Sequence, residues 1–303
     1  MMGGLVDVRI SVGEQADSRH GHGRHGRRPR AAEPEAQRVL DRIEIWAARL
    51  TRFDEASELS RLNADPRTAV PIGPTLAAVL DWARVAEVAT DGTVDAALLD
   101  ARLAAEKGIG SGLPTDRRWS LERTTRGALV RRSPGVRFDL DGLAKGWLAD
   151  RALRLVRAEG SALVDADGDV AVRLAAGIGC AVGIADPHTD GGRLATIRVP
   201  AAGCASRYGI ATSGTTVHRW RTGAGTAHHL IDPRTRRPAV TDVAQATVIA
   251  ASARHAEALA KTIVILGYEA GLALLGRTAA LGAVLLTERS GVLATGVVAG
   301  WLA

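Results

Sequence analysis

With 303 residues, 46% hydrophobic but only 3% aromatic, the chain is long enough for one large or two moderate domains, and its core must be built from Ala, Val, Leu and Ile. A formal charge of +6 admits a nucleic acid, a membrane surface or an anionic small molecule as partner; much of the excess sits in one tract, so charge alone does not choose. Two cysteines exclude a disulfide framework and fit a reducing compartment, and no run approaches the ~18 apolar residues of a membrane helix.

The first residues carry Asp7 and Arg9 and lack a continuous apolar stretch, so they read as neither a signal peptide nor a lipoprotein leader. The expectation is a soluble cytoplasmic protein. Leu5–Val12 alternates as a strand. Asp17–Arg30, DSRHGHGRHGRRPR, cannot bury anything and reads as a disordered loop. Its His20, His22 and His25 could catch a transition metal, but a solvated loop is the simpler account.

Glu33–Leu50 has an apolar stripe of Val39, Ile43, Trp46 and Leu50, as an amphipathic helix does. In Phe53–Ala64, Ser57 and Ser60 are N-cap types. Asn63 suits either a turn or the edge of a ring, and its spacing favours the turn. Pro74–Thr90 predicts a second helix, and Val94–Leu103 follows with Asp95 near its start. Ala128–Arg131 and Val136–Leu140 read as paired strands around Ser133-Pro134-Gly135.

The stretch Val136–Asp150, VRFDLDGLAKGWLAD, organises the rest. It reads as a strand bearing Asp139 and Asp141, a glycine turn, and a helix over Lys145–Glu159 that ends at Gly160. Such a turn offers free backbone amides and a positive dipole end to an anion. Of 39 basic residues only Lys107, Lys145 and Lys261 are lysine, so a lysine retained here suggests a need for a compact point charge.

Ser161–Leu174 begins as a buried strand and reaches a turn at Gly168 among Asp165, Asp167 and Asp169; the spacing excludes an EF-hand. Cys180–Asp186 and Leu194–Val199 are strands. Gly209–Thr216, GIATSGTT, reads as a small, hydroxyl-rich loop able to approach a phosphate or a ring. His228–Pro238 is a short strand entering an Asp-Pro turn. Gln245–Ala251 is a strand. His255–Leu266 is a helix with Glu257 and Lys261 on one face. Ala283–Leu286 and Val292–Val298 close the sheet. No repeat and no clean linker appears.

Eight segments in this order resemble the ApbE flavin-transferase family, the FAD:protein FMN transferases. They are SELSRLNA (Ser57–Ala64), DGTVDAAL (Asp91–Leu98), FDLDGLAKGWLAD (Phe138–Asp150), ALVDADGDV (Ala162–Val170), VGIADP (Val182–Pro187), IATSG (Ile210–Gly214), HHLIDPRT (His228–Thr235) and AEALAKTIVILG (Ala256–Gly267). The resemblance implies an α+β, T-fold-related architecture of mixed sheets packed against helices, one compound two-lobed domain over residues 1–303 with 17–30 a loop within it. It implies transfer of the FMN moiety of FAD to a Thr or Ser hydroxyl of a partner flavoprotein carrying a short acceptor motif. It also implies that AMP leaves and magnesium assists; apart from the resemblance, no nucleic acid and no membrane insertion are expected, with nucleic-acid binding through the basic tract a remote further reading.

Carried over residue by residue, the resemblance places Ser60, Asn63, Asp95, Lys145, Gly168, Asp169, Thr212, Ser213, Gly214 and His229 around FAD. It gives catalytic roles to His229, Asp232, Lys145 and Lys261. Ala144, through its carbonyl, joins Asp141, Glu257 and Thr262 as the metal set. His229 suits a proton relay by its titration range; a structural histidine bonded to the Asp turn is the alternative.

Three positions depart from the family pattern. The family helix commonly reads A-D-A-x-A-T, and Glu257 and Lys261 stand at its Asp and Thr. A protonated lysine cannot ligate magnesium. Either Lys261 itself neutralises the diphosphate, or Thr262, Asp141 and Glu257 rearrange around a metal with Lys261 alongside. An exposed Glu257–Lys261 pair would be worth only ~0.3–0.5 kcal/mol. Arg236 stands where a glycine usually follows DPRT, which predicts a shifted turn and an added phosphate contact. An FAD pyrophosphatase yielding FMN and AMP, or a non-catalytic FAD-binding protein, are the competing functions.

Overall fold

The computed structural model describes residues 6–11, 32–108, 116–216, 218–222 and 225–303. The basic tract 17–30, with its three histidines, lies outside the described residues. In chain order the first elements are β1 (Val6–Ser11), α1 (Ala32–Leu50), α2 (Glu58–Ala64), β2 (Ala69–Ile72), α3 (Pro74–Ala89), α4 (Leu99–Lys107), β3 (Trp119–Thr124), β4 (Gly127–Arg132) and α5 (Ala144–Leu153). Then come β5 (Ser161–Ala166), β6 (Asp169–Leu174), β7 (Cys180–Ala185), β8 (Arg193–Val199), β9 (Ser206–Gly214), β10 (Arg219–Thr222) and β11 (Gly225–His228). The rest are β12 (Ile231–Asp232), β13 (Arg237–Pro238), β14 (Val243–Ala250), α6 (Ala253–Leu266), α7 (Tyr268–Leu275), β15 (Gly282–Thr287), β16 (Gly291–Ala294) and a closing 3₁₀ turn, Gly296–Trp301.

The arrangement is α+β. A seven-stranded sheet runs β1-β5-β6-β9-β14-β15-β16, a three-stranded sheet runs β2-β4-β3, and the other strands form two-stranded ribbons. Alternation decides which face is buried. In β5, Ala162, Val164 and Ala166 point one way and pack on Val39 and Ile43 of α1 and Ala149 and Ala152 of α5. A second core surrounds Phe138, which meets Trp119 edge-on at 5.1 Å between ring centroids and is joined by Val79, Leu80 and Val130. A third lies between α6 and the sheet, through Ala260, Ile263, Val264 and Val248.

Helix α6 is the hub, and glycines let it sit close. A Cβ on Gly209 of β9 would lie 1.9 Å from the Ala253 nitrogen; one on Gly146 of α5 would lie 2.6 Å from the Ala253 carbonyl. Both contacts are backbone, so no side chain can yield to admit a methyl group. The N-terminus of α6 is capped from α5, since the Asp150 carboxylate accepts from the Ala253 amide at 2.9 Å and the Arg254 amide at 3.2 Å.

Three sequence expectations are corrected. Val136–Leu140 is extended but does not pair with residues 128–131; β4 has β2 and β3 as its neighbours instead. The Asn63 amide performs the pairing, accepting from the Phe138 N–H at 2.7 Å and donating to the Phe138 carbonyl at 2.8 Å. Second, the helix that begins at Ala144 stops at Leu153, not at Glu159. Side chains capture the backbone beyond it: Arg173 donates to the carbonyls of Val156, Ala158 and Gly160, and Glu35 accepts from the amides of Arg157 and Ala158. Third, Gly209–Gly214 is a strand, β9, not a loop; its small residues suit the closeness of α6.

Replacing Asn63 by alanine leaves the Phe138 N–H and C=O without partners in a partly buried place. The expected loss is about 2–4 kcal/mol, read as a lowered urea midpoint at unchanged m-value.

Candidate functional site

The segment after Phe138 carries the site. Asp139 is fixed by its amide, which donates to the Ala96 carbonyl at 2.8 Å. Gly142 turns the chain with φ +79°, and α5 begins at Ala144. The expected cradle of free amides is largely absent. The Asp141 amide donates to the Asp139 carboxylate, those of Leu143 and Ala144 to the Leu140 carbonyl, and that of Gly146 to Glu257 Oε2 at 2.9 Å. An anion arriving here must be met mainly by side chains.

Those side chains surround a cavity of about 180 Å³. Asp141 and Lys145 come from the turn and α5, Asp167 and Asp169 from the β5–β6 turn, Thr212, Ser213 and Gly214 from β9, His229 from the loop before β12, and Glu257 and Lys261 from α6. A second hollow of about 110 Å³ shares Asp141, Lys145, Asp167 and His218 with it and extends the cleft to Arg52 and Phe53. Phe53 is 68% exposed, and the Arg52 guanidinium lies 4.2 Å from its ring centroid.

Charge is sorted within the cavity. Lys145 Nζ lies 3.4 Å from Asp169 and 3.8 Å from Asp167, and donates to the Asp167 carbonyl at 3.3 Å. Burial works against that ammonium, but Asp169, Glu257 and Asp141 outweigh it and raise its pKa. Glu257 and Asp169 are each only 2% exposed. Burial first, and then the Asp169 charge, pushes Glu257 well above the usual carboxylate range. Asp169 is pushed up by burial to about 6, against the pull of Lys145; its Oδ2 and Glu257 Oε1 are buried without a hydrogen-bond partner among the described residues.

Asp141 is the ionised acid. Its burial opposes the charge, but His229, Lys261 and Arg102 outweigh that and hold its pKa below the usual range. His229 moves the other way, since burial lowers it to about 4 against the attraction of Asp141. It is therefore a neutral imidazole at pH 7, able to accept a proton. The His218 ring meets it edge-on at 5.3 Å.

Lys261 Nζ donates to the Asp141 carbonyl at 2.7 Å. The turn is shaped around this arm: a Cβ on Gly142 would stand 2.5 Å from Lys261 Cδ. Glu257 sits one helical turn earlier, but no ion pair joins it to Lys261 among the described residues.

The other candidates lie outside this lining. Ser60 donates its amide to the Ser57 cap, and Asn63 clamps Phe138. Asp95 accepts from the Ala97 amide and pairs with Arg117. Ala144 is fully buried, and Thr262 donates its hydroxyl to the Ala258 carbonyl of its own helix. Gly168 shapes the turn between two cavity acids with φ +88°. Asp232 holds Arg234 in its own turn, where Arg236 takes φ +60°, a conformation glycine would favour.

Arg102 escaped sequence reasoning. It is buried in α4, donating to the His229 carbonyl at 2.8 Å, to Glu106 at 2.7 Å, and facing Asp141 at 3.3 Å. Its only sequence signal is Glu106 four residues later, which any exposed helix could show.

The ApbE family model matches residues 2–285. A Treponema pallidum FAD:protein FMN transferase is 37% identical over 153 residues, 46% of this chain and 41% of that one. A Vibrio cholerae protein of the same name is 27% identical over 174 residues, 53% of this chain and 51% of that one. The matched part thus spans about half the length of these curated relatives. Among solved structures, the ApbE protein of Thermotoga maritima aligns with TM-score 0.74 at 21% identity, covering 98% of both chains. The flavin transferase ApbE of Vibrio cholerae aligns with TM-score 0.66 at 20% identity, covering 89% of this chain and 90% of that one. These two share the fold.

The buried imidazole gives a direct check. In an NMR titration the His229 ring should protonate near pH 4, and Asp141→Asn, which removes the attracting charge, should move that midpoint lower still. A midpoint at the ordinary value of about 6.5 would contradict this account of the cavity.

Proposed function

The chain belongs to the ApbE family, and from that membership we propose that it transfers the FMN moiety of FAD to a Thr or Ser hydroxyl of a partner protein, releasing AMP. The observation that carries this reading is the convergence of Lys145, Lys261, neutral His229 and the β9 hydroxyls on one cavity. A diphosphate needs cationic partners for the charge that builds on its leaving group, and an acceptor hydroxyl needs a base.

Magnesium fits these residues poorly. The Asp141 carbonyl already accepts from an ammonium, Glu257 Oε2 accepts from the Gly146 amide, and the Thr262 hydroxyl is engaged on its own helix. Among the described residues no group of three or more His, Cys, Asp or Glu side chains is placed to hold a metal ion.

In this reading the acceptor oxygen attacks the flavin-side phosphorus, and a new P–O bond forms as the bond to the AMP phosphate breaks. His229 accepts the hydroxyl proton. Thr212, Ser213 and the Gly214 backbone line the path of the phosphates, Lys145 with Asp169 fixes one wall, and Arg102 orients the His229 backbone. Asp232 contributes by holding the loop that follows His229. The partner is a flavoprotein presenting a short Thr/Ser motif to the cleft. No helix among the described residues is long and apolar enough to cross a membrane. Cys180 and Cys204, both free thiols, support a cytoplasmic setting.

Incubation with FAD and a partner bearing such a motif should yield one AMP per covalently bound, fluorescent flavin. His229→Ala should lower the rate by about 10²–10⁴-fold with little change in FAD affinity. Free FMN and AMP at the same rate without acceptor would show a hydrolase instead, and tight FAD binding without AMP a binding protein.

A further inference from the structure

Two lysines reach the cavity, and their surroundings differ. Lys145 is matched by acids, with Asp169 at 3.4 Å and Asp167 at 3.8 Å. Lys261 has no carboxylate within 4 Å among the described residues; its one hydrogen bond goes to the neutral Asp141 carbonyl. An ammonium has three N–H donors, so Lys261 keeps donors and an unmatched charge for a ligand, whereas the charge of Lys145 is matched by two acids. The backbone accommodates that placement. Gly142 has φ +79° and no Cβ where one would lie 2.9 Å from Lys261 Nζ, so the arm can lie against the turn as it does. The amides of Leu143, Ala144 and Gly146 are already spent inside the protein and add little positive field.

We propose that the Lys261 ammonium takes the place of a divalent cation in this cavity, holding the FAD diphosphate and neutralising the departing AMP phosphate, so that the site works without a metal. The inference rests on the transferase reading for its substrate, but the occupancy of the cation position can be read separately. As the bond from the flavin-side phosphorus to the bridging oxygen breaks, that oxygen leaves with the electron pair as part of AMP, and Lys261 donates a hydrogen bond to the departing phosphate. A divalent ion added to this arrangement would face the ammonium and lose the Asp141 carbonyl as a ligand. The retained lysine in an arginine-rich chain agrees with this role: a compact point charge resembles a metal ion more closely than a planar guanidinium does.

The test uses Mn²⁺ alone, followed by EPR, and then FAD followed by flavin fluorescence in EDTA or in magnesium. The parent should show no saturable Mn²⁺ binding and the same FAD affinity in both buffers. Lys261→Met should weaken FAD binding by about ten- to a hundredfold, with magnesium giving no recovery. Lys261→Arg, which keeps charge, should recover part of it, and Lys261→Thr should gain Mn²⁺ binding. Saturable Mn²⁺ binding by the parent, equal Mn²⁺ behaviour of parent and Lys261→Thr, or magnesium-dependent FAD affinity in the parent would overturn the proposal. If the parent binds no FAD at all, the transferase reading falls, while the Mn²⁺ comparison still decides the lysine.

Discussion

The hydrogen bond from the Gly146 amide to Glu257, with the close crossing of α5 and α6 around it, holds the rest of the site in place. Lys145 lies one residue before Gly146, and Lys261 lies one helical turn after Glu257. Fixing that crossing therefore fixes the backbone positions from which the two lysine arms extend. The contact is rigid because it is backbone against backbone, with no flexible side chain to absorb an error. Burial and the neighbouring Asp169 push the Glu257 carboxyl up, while the bond from the Gly146 amide works the other way.

The cavity belongs to the joint between two cores. Phe138, Leu140, Leu143 and Ala144 are packed in the core that contains α3 and the three-stranded sheet, so the turn bearing Asp139 and Asp141 is anchored from that side. Helix α6 contributes Ala258 to the same core and Ala260 and Ile263 to the one beneath the seven-stranded sheet. Polar groups from both sides meet where neither core closes fully. With few aromatics available, small aliphatic residues and glycines bring the elements close, and this closeness leaves a narrow, charged cleft.

Much of this was legible in the residues. The strands β1, β7 and β15 and the helices α1, α3 and α6 follow apolar periodicity closely, and Lys145 and Lys261 stand out because arginine dominates elsewhere. What periodicity does not carry is the identity of long-range partners. Phe138 looks like a strand residue, and its partner turns out to be a side chain, Asn63, 75 positions away. Glu257 looks like a surface i,i+4 partner of Lys261, but its bond goes to Gly146, 111 positions away. Arg102 carries no unusual spacing, since its bond to the His229 carbonyl exists only once α4 packs beside that loop. The glycine-rich β9 resembles a loop because its reason for being small is a helix that follows it in the chain.

The capping of α6 by Asp150, across 103 positions, has a bearing on how the nascent chain matures. Helix α5 leaves the ribosome well before α6, so for that interval its carboxylate has no amide to receive and Gly146 has no acid to meet. Loop closure over such a span is slow relative to local helix formation. The lysine pair therefore comes together only once α6 has docked on α5, and a product truncated before α6 would lack the Lys261 side of the cavity altogether.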